Sequence, residues 1–180
     1  LDAQDPAAAA AELARCRLDE AIVASWGGQF ERAIAAAEES LRYEASRPGP
    51  SGRGAEALNT LGLAQGQLGR FEAANGTFER LFSVFAAERR TRTRFAATAR
   101  HNGTLALVNA GQVKRALAES DTLVAITREL GGGPVSPYKL SSRASLLSYA
   151  GRHEEAIATA AEAIRSASGT LGSQVPFWSY

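Results

Sequence analysis

One short pattern, repeated four times at nearly constant spacing, constrains this chain more than anything else in it. A glycine is followed by any residue, an aromatic or apolar residue, two mostly polar residues and an alanine. The copies are Gly28-Gln-Phe30-Glu-Arg-Ala33, Gly69-Arg-Phe71-Glu-Ala-Ala74, Gly111-Gln-Val113-Lys-Arg-Ala116 and Gly151-Arg-His153-Glu-Glu-Ala156. Their glycines lie 41, 42 and 40 residues apart, the kind of period that belongs to stacked structural repeats. Glycine enters the left-handed backbone region without a Cβ penalty, so it can end one helix and turn the chain into the next. The residues that follow restart at helical spacing: Phe30, Ala33, Ile34, Ala37 and Leu41 form one apolar stripe, and Phe71, Ala74, Phe78, Leu81, Phe82 and Phe85 form another. The alanine six places along is small enough to let the two helices of a hairpin approach closely.

A partner helix precedes each glycine. Leu58, Leu61, Ala64 and Leu68 are spaced for one before Gly69, as are Leu105, Ala106, Val108 and Ala110 before Gly111. Asp5-Pro6 and Ser136-Pro137 read as N-caps followed by proline at the first helical position. The stretches 47–54 and 131–134, rich in glycine and proline, read as breaks. No stretch alternates as a strand does. The expected organisation is one all-α repeat array over 1–180, with hairpins at about 6–46, 54–88, 92–130 and 137–168. Residues 169–180, ending in Val175-Pro-Phe-Trp-Ser-Tyr180, form either a tail that folds back over the last hairpin or the start of a truncated fifth repeat.

Composition narrows the function. The charges nearly cancel, 20 Lys and Arg against 19 Asp and Glu, so there is no long-range attraction to a polyanion and nucleic acid is not the expected partner. No apolar run has the length of a membrane span, which leads to the expectation of a chain that works in the cytoplasm. Cys16 is the single cysteine and is expected to be a small buried apolar group. The chain contains no methionine, which suggests a processed chain or a segment of something longer.

The stretch Ala55-Glu-Ala-Leu-Asn-Thr-Leu-Gly-Leu-Ala-Gln-Gly-Gln-Leu-Gly-Arg-Phe-Glu-Ala-Ala74 resembles the tetratricopeptide repeat, with Leu61-Gly62 where that family has its Leu-Gly pair. The other three copies lack the pair, having Glu20-Ala21, Gly103-Thr104 and Arg143-Ala144, but keep the turn glycine and the later alanine. The period exceeds the family's standard 34 and is similar to the long-repeat branch of kinesin light chains and the sensor arms of bacterial regulators. The resemblance covers about residues 14–168. It implies a right-handed α-α superhelix, a solenoid of about four hairpins, with a concave wall made by the first helix of each.

Carried over position by position, the resemblance places Arg15, Leu18, Asp19, Ile22, Ser25 and Trp26 on that wall in the first repeat. Glu56, Asn59, Thr60, Leu63, Gly66 and Gln67 follow in the second. Thr98, His101, Asn102, Leu105, Val108 and Asn109 belong to the third, and Tyr138, Ser141, Ser142, Ser145, Ser148 and Tyr149 to the fourth. Asparagine amides both donate and accept, so Asn59, Asn102 and Asn109 are expected to pair with an extended peptide backbone while Trp26, Tyr138 and Tyr149 supply stacking area. The lysine and arginine clamp by which some relatives hold a terminal carboxylate is missing.

Other signals point to packing or solvation. His153 stands at the aromatic position after a turn glycine and is expected to pack; neither histidine has a second ligand at metal spacing, so no metal or cofactor is expected. No nucleophile elbow or phosphate loop is present. The run Glu88-Arg-Arg-Thr-Arg-Thr-Arg94 reads as a solvated basic face. The expected function is a non-catalytic scaffold binding a protein or peptide, as the interaction or sensor arm of a larger bacterial regulator and with homodimerisation open. Alternatives are a pheromone-type peptide receptor and an accessory subunit of an enzyme complex.

Overall fold

The computed structural model of the chain describes residues 6–46, 52–130 and 135–171. Among these are eight helices and no strand: α1 Pro6–Trp26, α2 Phe30–Ala45, α3 Gly52–Gln67, α4 Phe71–Ala87, α5 Arg94–Asn109, α6 Val113–Glu129, α7 Pro137–Tyr149 and α8 His153–Leu171. They pair as four hairpins, α1 with α2, α3 with α4, α5 with α6 and α7 with α8. The second helix of each hairpin then packs on the first helix of the next, and α1, α3 and α5 also touch in order. The result is an α-α solenoid, in which each hairpin buries a face against its neighbour. Asp5, the stretches 47–51 and 131–134 and the aromatic tail lie outside the described residues.

All four turn glycines do what the pattern requires of them. Gly28, Gly69, Gly111 and Gly151 have φ between 72° and 75°. In each turn the residue after the glycine donates its N–H back into the ending helix: Gln29 to the carbonyl of Ala24 (2.9 Å), Arg70 to Gln65 (2.9 Å), Gln112 to Leu107 (2.8 Å) and Arg152 to Leu147 (2.8 Å). This satisfies carbonyls that the helix would leave open. The carbonyl of that same residue starts the second helix by accepting from the repeat alanine, Ala33, Ala74, Ala116 or Ala156. Those four alanines are buried, the first three completely.

The same turn occurs at the end of α4, where the left-handed residue is Arg89 (φ 55°) and Arg90 donates to the carbonyl of Phe85 at 2.8 Å. A side chain in this region costs about 1–2 kcal/mol. Arg89→Gly should therefore stabilise the fold by roughly 0.5–1 kcal/mol after the greater chain entropy of glycine is subtracted. The melting temperature should rise by a few degrees, and a fall would contradict the strain.

Three details differ from the sequence reading. Helix α3 begins at Gly52, so three residues assigned to the break, Gly52, Arg53 and Gly54, are helical; glycines are tolerated in the first turn, where few intrahelical bonds are lost. Ser136 occupies the N-cap of α7 but makes no side-chain capping bond, and entry relies on Pro137 at the first position. Cys16 and His153 are exposed, not packed. Cys16 shares its place with Ala57 and Ala99, which are fully buried because the preceding hairpin covers them; among the described residues nothing precedes α1. His153 begins a helix on its outer side, where the preceding Phe30, Phe71 and Val113 are only half-buried.

Candidate functional site

The four first helices share one register relative to their turn glycines. At thirteen residues before the glycine stand Arg15, Glu56, Thr98 and Tyr138, and at two before it Trp26, Gln67, Asn109 and Tyr149. All eight are exposed. Between them, six before the glycine, Ile22 and Leu63 are half-buried and Leu105 and Ser145 exposed. Steps of three, four and seven keep these positions on one helix face, and that face recurs on adjacent helices. The aromatic ends of the stripe are open: Trp26 is 85% exposed and Tyr149 73%.

One layer deeper, side chains join neighbouring first helices. Asn102 on α5 donates its amide N–H to the Oδ1 of Asn59 on α3 at 2.9 Å. The His101 ring on α5 lies edge-on to the Tyr138 ring on α7, with centroids 4.9 Å apart. These contacts correct two expectations. Asn59 and Asn102 spend part of their capacity on each other, leaving the amide N–H groups of Asn59 and the carbonyl of Asn102 for another partner. His101, only 5% exposed, lies beneath the wall and supports Tyr138; Leu18, at the same position in the first repeat, is also buried. Ser141 is exposed at that position in the fourth. Sequence could assign the positions, but neither the Asn–Asn bond nor the ring contact, because both depend on the lateral shift between helices.

Burial holds the pKa of His101 below its usual value of 6.5, with a smaller push from the charge of Lys139, itself lowered by burial. The Nε2 atom of His101 has no hydrogen-bond partner, so protonation would bury an uncompensated charge. The sign follows: the unfolded chain takes the proton first, so stability is full above the unfolded value and is lost as pH falls from about 6.5 through the folded value. His101→Phe should flatten this slope in urea midpoints measured from roughly pH 7.5 down to 5. An unchanged slope would show that His101 is not its source.

The basic run is partly spent inside the fold. Arg90 pairs with Glu88 at 3.2 Å, Arg92 with Glu129, and Thr93 caps α5 by accepting from the N–H of Ala96 at 3.0 Å. Arg100, half-buried, pairs with Glu119 and lies 4.8 Å from the Phe82 ring centroid. Among the described residues no group of three or more His, Cys, Asp or Glu gathers as a metal site, and no helix is long and apolar enough to cross a membrane.

No family model matches the chain, and no curated protein matches it in sequence. Solved structures do. BtubC (BKLC) from P. vanneervenii is similar over the whole chain and 72% of its own, with 22% identity and a TM-score of 0.78. A putative kinesin light chain from Podosopora anserina, built of nearly identical TPR-like repeats, matches 96% of the chain and 81% of its own, at 18% identity and a TM-score of 0.77. A TPR-like protein from Chlorobium tepidum matches 88% and 98%, at 17% identity and a TM-score of 0.61. The chain thus has the fold of the tetratricopeptide-like helical-repeat proteins.

Proposed function

We propose that this chain is a non-catalytic scaffold whose concave wall holds an extended segment of a protein partner. The observation that carries this reading is the exposed stripe that recurs on α1, α3, α5 and α7 and ends in Trp26, Gln67, Asn109 and Tyr149. Aromatic area beside amide and hydroxyl groups suits a peptide, whose backbone offers donors and acceptors at every residue. Trp26, Leu105, Tyr138 and Tyr149 provide the apolar anchors; Arg15, Asn59, Leu63, Gln67, Asn102, Asn109 and Ser141 line the space between, over His101. The long-repeat resemblance supports a place as the cytoplasmic interaction arm of a larger bacterial regulatory protein.

The test is selection from a displayed random-peptide library on the folded chain, followed by titration of the recovered peptides. Tyr149→Ala and Leu105→Ala should each weaken binding roughly tenfold or more, while Arg165→Ala on α8 leaves it unchanged. Equal affinity for all three variants would remove the wall from the site. Asn102→Ala is a poorer probe, because it also breaks the bond to Asn59.

A further inference from the structure

Most charges on the four first helices are already matched inside the fold. Arg15, Arg17, Arg100 and Arg143 each hold a carboxylate, and Arg53 donates to the carbonyl of Ala11 at 3.3 Å. Among the described residues, four charges on these helices enter no ion pair: Asp19 on α1, Glu56 on α3, Arg94 on α5 and Lys139 on α7. The two helices at the beginning of the array thus keep unspent carboxylates, and the two at its end keep unspent cations. The sign changes in the middle of the wall, between α3 and α5.

The pair that argues furthest is Glu56 and Lys139, because both stand within the first turns of helices that a preceding hairpin covers. Glu56 is exposed, at the wall position that Tyr138 holds on α7. Lys139 is half-buried, at the place where Ala57 and Ala99 are completely covered. Its stem therefore occupies the seam against the third hairpin, and a long side chain in such a seam carries its charge outward. That charge acts on His101, whose ring supports Tyr138 from beneath, so the ammonium lies next to the wall. Burial lowers the pKa of both groups. His101 cannot offset the ammonium, since it is either neutral or of the same sign. A half-buried cation without a counter-ion is costly, and a carboxylate brought to it forms a strong, charge-assisted bond.

We propose that the segment held on the wall is charged in two halves, with a lysine or arginine facing Glu56 on α3 and an aspartate or glutamate facing Lys139 on α7. Asp19 and Arg94 extend the same polarity. Neighbouring helices pack about 8–10 Å apart, so the two steps from α3 to α7 cover roughly 16–20 Å, which an extended chain spans in about five or six residues. A segment laid the other way would bring like charges together, so the division also fixes its direction. The proposal rests on the reading of the wall as a peptide site, and its test separates the two.

The test is selection from a displayed random 12-residue library on the parent chain and on Glu56→Gln and Lys139→Gln, all three with the same helical circular dichroism. Peptides taken by the parent should carry a basic and an acidic residue about five or six positions apart, in clear excess over the library. Those taken by Lys139→Gln should keep the basic residue and lose the preference for the acidic one, and those taken by Glu56→Gln should do the reverse. For a single parent-selected peptide, Lys139→Glu should weaken binding about threefold to tenfold, and exchanging the peptide's acidic residue for lysine should recover most of the loss. Should Lys139→Glu unfold, Lys139→Gln against the peptide with its acid made an amide closes the same cycle. Peptides that Leu105→Ala and Tyr149→Ala release, but that show no such charge preference or no coupling to Lys139, overturn this proposal and leave the wall as the binding surface. Peptides indifferent to Leu105→Ala and Tyr149→Ala overturn both.

Discussion

Replacing Phe78 by alanine is expected to lower the free energy of unfolding by about 3–5 kcal/mol, the largest loss from any single substitution considered. Phe78 is 2% exposed and belongs to a core cluster that draws on α3, α4 and α5, with Leu58, Leu81, Phe85 and Ala99. Its ring therefore joins two hairpins, and its removal loosens both the hairpin and the stack. Two glycines make room for it. A Cβ at Gly62 would stand 2.9 Å from the ring atoms Cε2 and Cζ of Phe78, and one at Gly103 would be 3.3 Å from its Cγ. Gly62→Ala should for this reason destabilise the chain, although alanine is the better helix former by about 1 kcal/mol. In the background of Phe78→Leu, a smaller side chain, the same substitution should lose much of its cost. Urea titrations of the two singles and the double supply the cycle, and a coupling near zero would contradict this packing.

Ala33→Leu is the second large effect, expected at about 1–3 kcal/mol. Ala33 is completely buried at the crossing of α1 and α2, in a cluster with Ala21, Ala24 and Ala37. All four are alanines, so the helices meet at short range and these neighbours have no side chain to move aside for three more carbons. A leucine must either leave its rotamer well or push the helices apart. Thermal unfolding followed by circular dichroism would measure the loss. A leucine tolerated without cost would mean that the small residue at this position is not what brings the helices together.

Much of the fold was legible because its key positions are chemically unforgiving. Only glycine takes φ near 73° freely, so four glycines at steady spacing announced four turns. Only a small residue fits the helix crossing, so four alanines announced four hairpins. The candidate wall was less legible. Its exposed positions follow from register, but His101 and Asn102 differ by one residue, and one is buried beneath Tyr138 while the other bonds to Asn59. A rotation of one residue on a helix is 100°, enough to move a side chain from groove to seam, and no local pattern encodes the angle between neighbouring hairpins. Cys16 failed for a related reason. Its helix position is that of a buried residue, yet burial there depends on a preceding hairpin, not on the helix itself. Arg89 is the opposite case, a turn made with a residue poorly suited to it, which gave no sequence signal.

Hydrogen–deuterium exchange with and without a peptide selected on the folded chain tests the central claim most directly. Protection should appear in α1, α3, α5 and α7, the helices that carry the proposed wall, and be weak or absent in α2, α4, α6 and α8. Protection concentrated in the second helices, or confined to the two ends of the array, would contradict the assignment of the concave wall as the binding surface.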